Sequence, residues 1–211
     1  MVGKPSVGII GDGNVGKAIA QGLKRAGYKV QTVGRDPPAV REIAKSAELI
    51  VLAVPHGERR NALNEMGDAW KGKTLVDVSN NLTPKGYGGS LDKSGAEELQ
   101  AWAKDAKVVK AFNTIFAQHM NTGQIDGERL SLFIAGDDKA AKQEVMTLGH
   151  DIGFEAVHAG PLSNARWLEA FGYLNVNLAY AQGMGPNMGF RLVRPGTSKA
   201  RTVEASAAMA D

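Results

Sequence analysis

Cysteine is absent from the 211 residues, which excludes disulfides, thiolate metal ligands and thiol nucleophiles. That usage suits a reducing compartment, and a cytoplasmic location is expected. Aromatic residues are sparse, at 6%, and no basic stripe with interleaved aromatics occurs, so nucleic acid is not an expected partner. Neither sign of charge dominates: 25 Lys and Arg against 22 Asp and Glu leave a net charge of +3. No apolar run reaches bilayer-spanning length, and the few residues ahead of the first strand leave no room for a signal peptide. No membrane partner is therefore expected. The four histidines (His56, His119, His150, His158) lack metal-ligand spacing, and no metal site is expected.

Glycine is plentiful, with 26 residues, and its placement near the start is informative. Residues 7–10 read as a short buried strand and residues 14–26 as a helix. Between them runs Gly11-Asp12-Gly13-Asn14-Val15-Gly16. In such a Gly-x-Gly-x-x-Gly turn the first glycine permits the tight bend and the second lets the backbone approach a pyrophosphate. The third lets the helix pack closely on the sheet. The helix N-terminus then offers free N–H groups and its positive dipole end to phosphate. A dinucleotide site is expected here.

The second strand, residues 29–33, runs into Gly34-Arg35-Asp36. In an NAD site this strand usually ends in Asp or Glu, which bonds the adenosine ribose. A carboxylate there would repel a 2′-phosphate. Glycine leaves room for that group, and a guanidinium can grip it as a fork. NADP(H) is therefore expected over NAD(H). Asp36 reads either as a cap for the next helix or as the ribose carboxylate displaced by two residues.

Strands and helices then alternate. Apolar strands are expected at 49–54, 74–78 and 107–112, with helices at 38–46, after Gly57 and at 96–105. This pattern implies an α/β fold with a doubly wound parallel sheet of Rossmann type. Ligands in such sheets bind beyond the carboxyl ends of the strands. Those ends carry the glycine loop, Gly34-Arg35, Ala53-Val54-Pro55-His56, Val78-Ser79-Asn80 and Phe112-Asn113-Thr114, which should converge on one cleft.

The second half reads as a strand at 131–135, a helix at 139–148 capped by Asp137-Asp138, and a strand at 154–158. Residues 163–182 read as one long helix. Its Trp167, Leu168, Phe171, Tyr173, Leu174, Val176, Leu178 and Tyr180 cover most of the circumference, so burial is required. A chain this short has little second layer to provide it. The expected solution is a twofold homodimer built on this helix, with burial against its own domain as the alternative. The implied organisation is a dinucleotide-binding domain at 1–130, a small acceptor- or dimer-forming part at 131–194 and an unstructured tail at 195–211.

Several segments together resemble the NADPH-dependent coenzyme F420 reductases. They are the glycine loop, Lys110-Ala111-Phe112-Asn113-Thr114-Ile115, Gly136-Asp137-Asp138 and Asp151-Ile152-Gly153-Phe154. Ala159-Gly160-Pro161-Leu162-Ser163-Asn164-Ala165-Arg166 is the most specific of them. The likeness runs from about residue 5 to 194, where Gly183-Met184-Gly185 and Gly189-Phe190-Arg191-Leu192 also fit. A similar domain begins the metalloreductases of the six-transmembrane epithelial antigen type. The resemblance implies hydride transfer between NADPH and the C5 of an 8-hydroxy-5-deazaflavin, coenzyme F420. No acid or base residue is required for that step, which needs positioning and exclusion of water. It further implies that Gly11, Asp12, Gly13, Asn14, Val15, Gly34 and Arg35 hold NADP(H). Ala53, Val54, Pro55, His56, Ser79 and Asn80 would flank its ribose and nicotinamide. Asn113, Thr114 and Ile115, with Met184, Gly185, Pro186 and Asn187, would line the acceptor side. The pattern departs at two places: archaeal members carry His where Asn113 stands and tend to have Ser where Gly34 stands.

Other outcomes remain open at this point. An NADPH reductase could use a flavin, a ferric chelate or a small imine or carbonyl as acceptor. A catalytically silent NADP(H)-binding sensor would use the same loops without an acceptor pocket.

Overall fold

The computed structural model describes residues 3–195. All of the tail expected to be unstructured, except Pro195, lies outside the described residues. In chain order the elements are β1 (Val7–Ile10), α1 (Asn14–Arg25), β2 (Val30–Val33), α2 (Pro37–Ser46), β3 (Leu49–Leu52), α3 (Arg59–Met66) and β4 (Thr74–Asp77). A small hairpin, β5 (Leu82–Thr83) and β6 (Gly86–Tyr87), precedes α4 (Gly95–Trp102) and β7 (Lys107–Lys110). A second hairpin, β8 (Gln124–Ile125) and β9 (Glu128–Arg129), leads to β10 (Ser131–Gly136), α5 (Lys139–Ile152), β11 (Glu155–His158) and α6 (Ala165–Val176).

Seven strands form one sheet in the order β11-β10-β7-β4-β3-β1-β2. Every residue of β1, β3 and β4 is buried, as expected of strands covered on both faces. One face is covered by α1 and α5, through Ile19, Leu23, Val145, Leu148 and Ile152. The other is covered by α2, α3 and α4, through Val40, Ala44, Leu63, Met66 and Leu99. Each of these side chains larger than alanine contributes about 1.5–3 kcal/mol on burial.

The sheet is not parallel throughout, contrary to the expectation. β10 pairs antiparallel to β7, Ala135 with Lys110 and Gly136 with Val109. A parallel return needs a crossover, usually a helix. Between β7 and β10 the chain offers only a 3-10 turn and the β8–β9 hairpin, so β10 comes back reversed. β10, α5 and β11 then form a second parallel unit that points the other way.

The expected single apolar helix over 163–182 is also not what forms. α6 has 12 residues and gives way to a five-residue π turn, Asn177–Ala181. Its buried stripe is Ala165, Leu168, Glu169, Gly172 and Asn175. Trp167, Leu174 and Tyr180 point outward at 59%, 48% and 66% exposure. Polar groups at the strand ends, Lys110 and Asn113, require partners, and α6 turns its polar residues inward to meet them.

Candidate functional site

The glycine loop has the geometry its spacing implies. Gly11 has φ +114°, and a Cβ there would lie 2.2 Å from the Ala53 carbonyl oxygen. A Cβ on Gly16 would lie 2.0 Å from the Gly11 carbonyl oxygen, whereas one on Gly13 would enter open space. Gly13 is the N-cap of α1. That first turn has no side-chain cap and no acidic residue among the described residues. Its N–H groups and dipole are left for an anion, and the loop fits a pyrophosphate.

Beside it lies a cleft of about 520 Å³, lined by Gly11, Asp12, Gly13, Gly34, Arg35, Ala53, Val54 and Pro55. Glu58, just before α3, and Asn61 and Glu65 within it help complete the wall. Of the five strand ends expected to converge, those of β1, β2 and β3 line this cleft, and residues 78–80 and 112–114 do not. The space above Gly34 is not vacant, however. A Cβ there would lie 2.7 Å from Asp12 Oδ1. Asp36 is settled as a cap, its Oδ1 accepting from the Ala39 N–H at 3.2 Å.

His56 and Ser79 turn away from this cleft. His56 Nε2 lies 3.0 Å from Arg59 Nη2. Burial first, then the Arg59 guanidinium, holds the imidazole pKa below its ordinary value, so it is neutral at pH 7. The Ser79 hydroxyl donates to Asp77 Oδ1 at 2.7 Å.

Beneath the strand ends lies a buried charge network that the sequence reading missed. Arg59, Asp77, Lys110 and Glu169 are all fully buried. Lys110 Nζ bridges Asp77 Oδ2 and Glu169 Oε1, at 3.0 Å each. Arg59 reaches Asp77 Oδ2 at 3.5 Å and Glu98 Oε2 at 3.3 Å. Burial alone would raise the Asp77 carboxyl pKa. Lys110, Arg59 and the bonds from Ser79 outweigh it and hold that pKa below the ordinary value. Glu169 also accepts from the N–H groups of Gly95 and Ala96 at 3.0 and 3.2 Å, capping α4 from α6. A signal for the pair was present. Asp77 and Lys110 interrupt two apolar strands, and the parallel register sets them side by side.

On the acceptor side, Phe112 takes φ +64°, a strained conformation for a bulky residue, just before Asn113. Both amide hydrogens of Asn113 are used. It donates to Asn80 Oδ1 at 2.9 Å and to the Leu168 carbonyl at 2.7 Å. Asn80 Nδ2 donates back to the Asn113 carbonyl at 2.7 Å. Gly172 lets α6 approach this pair, since a Cβ there would lie 2.6 Å from Asn80 Oδ1. Asn175 Nδ2 donates to the Thr114 carbonyl at 3.1 Å. Asn113 and Thr114 therefore tie α6 to the sheet, and Asn113 has no amide hydrogen left for a ligand.

Ile115, though largely buried, does reach a groove. It lines a groove of about 680 Å³ with Asn14 and Val15 of the glycine loop, Leu82, Phe116, Val176, Tyr180 and Pro186. Lys17, Gln21, Gln118 and Asn121 form its polar part. Of the four expected acceptor residues near position 185, only Pro186 lines this groove. Met184 is 64% exposed. Among the described residues no cluster of His, Asp or Glu could hold a metal ion. None of their helices is long and apolar enough to cross a membrane.

A doubly wound sheet with this loop and cleft defines a dinucleotide-binding protein of the Rossmann class. Comparison with known proteins narrows it. Residues 6–48 match the family described as NADP oxidoreductase, coenzyme F420-dependent. The F420-dependent NADP reductase of Methanothermobacter marburgensis is 31% identical over 187 residues, 81% of this chain and 80% of that protein. The chain belongs to that family. A structure from Arthrobacter sp. FB24, provisionally described as an F420-dependent NADP-reductase, superposes with a TM-score of 0.83. The two are 29% identical, with 90% of this chain and 100% of that one covered. Metalloreductase STEAP3 of Rattus norvegicus is 33% identical over 179 residues, 79% of this chain. The chain spans about a third of that metalloreductase's length, 36%.

Proposed function

We propose that the chain passes a hydride between NADP(H) and the C5 of a deazaflavin, coenzyme F420. The observation that carries this reading is the groove beside the glycine loop. Its wall is apolar at Ile115, Phe116, Tyr180 and Pro186, and its lining holds no carboxylate. Such a surface suits a flat conjugated acceptor with an anionic tail, with Lys17 on the polar side. NADP(H), when bound, gives or takes the hydride. The α1 first turn with Gly11, Gly13, Asn14 and Val15 would hold its pyrophosphate. Gly34 and Arg35 would face the adenosine ribose, and Ala53, Val54, Pro55 and Asn80 the rest. Asn113 and Thr114 would act from behind, by fixing α6 against the groove. The remaining requirements are alignment of the two ring systems and exclusion of water from between them, and neither needs an acid or base.

The test is anaerobic mixing of the protein with NADPH and, separately, oxidised F420, FMN and ferric citrate, following NADPH absorbance. Enzyme-dependent oxidation with F420 alone is the expected result. A second reading is reduction of a ferric chelate or flavin, favoured by the 33% identity to a metalloreductase. Oxidation with ferric citrate or FMN, and none with F420, would establish it instead.

A further inference from the structure

We propose that Asp12 supplies the carboxylate missing from the tip of β2, so that the cleft takes NADH as well as NADPH. This rests on reading the cleft as the nucleotide site. β2 ends at Val33, and Gly34, next in the chain, has no side chain with which to meet a ribose. The volume such a side chain would occupy is filled from the first loop. A Cβ on Gly34 would lie 2.7 Å from Asp12 Oδ1 and 2.8 Å from Oδ2. The usual acidic residue of an NAD site is thus replaced in space, though not in sequence.

Two further observations point the same way. Among the described residues the Asp12 carboxylate accepts no hydrogen bond and pairs with no cation, and Arg35 likewise has no partner. Both line the same cleft and are not paired with each other. Opposite charges on adjoining loops, each left without a partner, are available to different ligands. A ribose 2′-hydroxyl can donate to Asp12. A 2′-phosphate can accept from Arg35 but must then stand near a carboxylate. Glu58 and Glu65 on the same wall add to that repulsion. Asp12 is therefore a specificity-determining residue that favours NADH and weakens selection of NADPH.

The experiment is fluorescence titration of the chain with NADH and with NADPH, at low and high salt. It compares the unaltered protein with Asp12→Asn and Asp12→Ser. Circular dichroism verifies that each exposed-site variant is folded. The unaltered chain is expected to bind both nucleotides with Kd values within about tenfold of each other. Both substitutions should move the ratio toward NADPH by about tenfold, with the shift reduced at high salt. A ratio unmoved by either substitution would overturn the proposal, as would selection of NADPH by more than about a hundredfold in the unaltered chain. Binding of neither nucleotide would overturn the reading of the cleft itself, a result distinct from tight binding without a shift.

Discussion

Arg35 and Asp12 carry opposite charges on neighbouring loops, and the nucleotide's ribose is where they would act. Removing Arg35 deletes the fork available to a 2′-phosphate and leaves the ribose hydroxyls untouched. In Arg35→Ala, equilibrium titration should show the NADPH Kd rising by about tenfold or more, with the NADH value changed by less than about threefold. Equal losses for both nucleotides would remove Arg35 from the 2′-phosphate. At this scale the glycines were legible in the sequence, because each bends or crowds the backbone within a few residues of its neighbours. The tenancy of Gly34 was not. Its environment is set by Asp12, 22 positions earlier, and only the parallel pairing of β1 with β2 brings the two together. Asn113 was expected to line the acceptor, and its bond to α6 was not legible. Whether an amide faces a ligand or a helix carbonyl depends on how α6 docks.

At the scale of elements, α6 is held in place by polar contacts as well as apolar ones. Glu169 joins Lys110 to the amides of α4, and Arg166 grips Glu97 through two bonds, at 2.8 and 2.6 Å. Glu97 is also half of the capping box of α4 with Ser94. The Arg166 fork first, then the bonds from Ser94, brings the Glu97 carboxyl pKa down to about 2 from 4.5. A carboxyl depressed in the folded state stabilises fully above its unfolded value. That stabilisation fades as pH falls from 4.5 toward about 2. Urea unfolding at stepped pH should therefore show an acid-side loss of stability across this window, reduced in slope in Glu97→Gln. An identical slope in the variant would place the loss elsewhere. The helix itself was visible in the sequence as a periodic segment. Its orientation was not, because hydropathy assigns the apolar side to the interior. Buried Lys110 and Asp77 reverse that choice. Stranding one member of such a buried set typically costs about 3–5 kcal/mol.

For the whole molecule, the outward placement of Trp167 and Leu174, seven positions apart on α6, leaves two large apolar side chains on one face of that helix. We propose that a second copy covers them in a twofold dimer. Sedimentation equilibrium at micromolar concentration should return twice the chain mass, and Trp167→Glu combined with Leu174→Glu should return a single chain. A monomer for the unaltered protein would end the proposal. The layered α/β plan was readable from the alternation of elements. The reversal at β10 was not, since local pattern carries no record of strand direction where the crossover helix is missing.

The cap that Glu169 places on α4 also bears on how the chain is made. Gly95 and its capping carboxylate are 74 positions apart, and Lys110 waits for the same side chain. While the polypeptide emerges from the ribosome, the nucleotide-binding half has its strands in hand before α6 exists. During that interval the first turn of α4 lacks its distant cap, and the Lys110 ammonium has Asp77 but not its second carboxylate. The half that binds the cofactor is thus completed by a helix synthesised after it. A product released before α6 would carry a partly compensated charge in its interior, which makes synthesis of the last elements a checkpoint on the first.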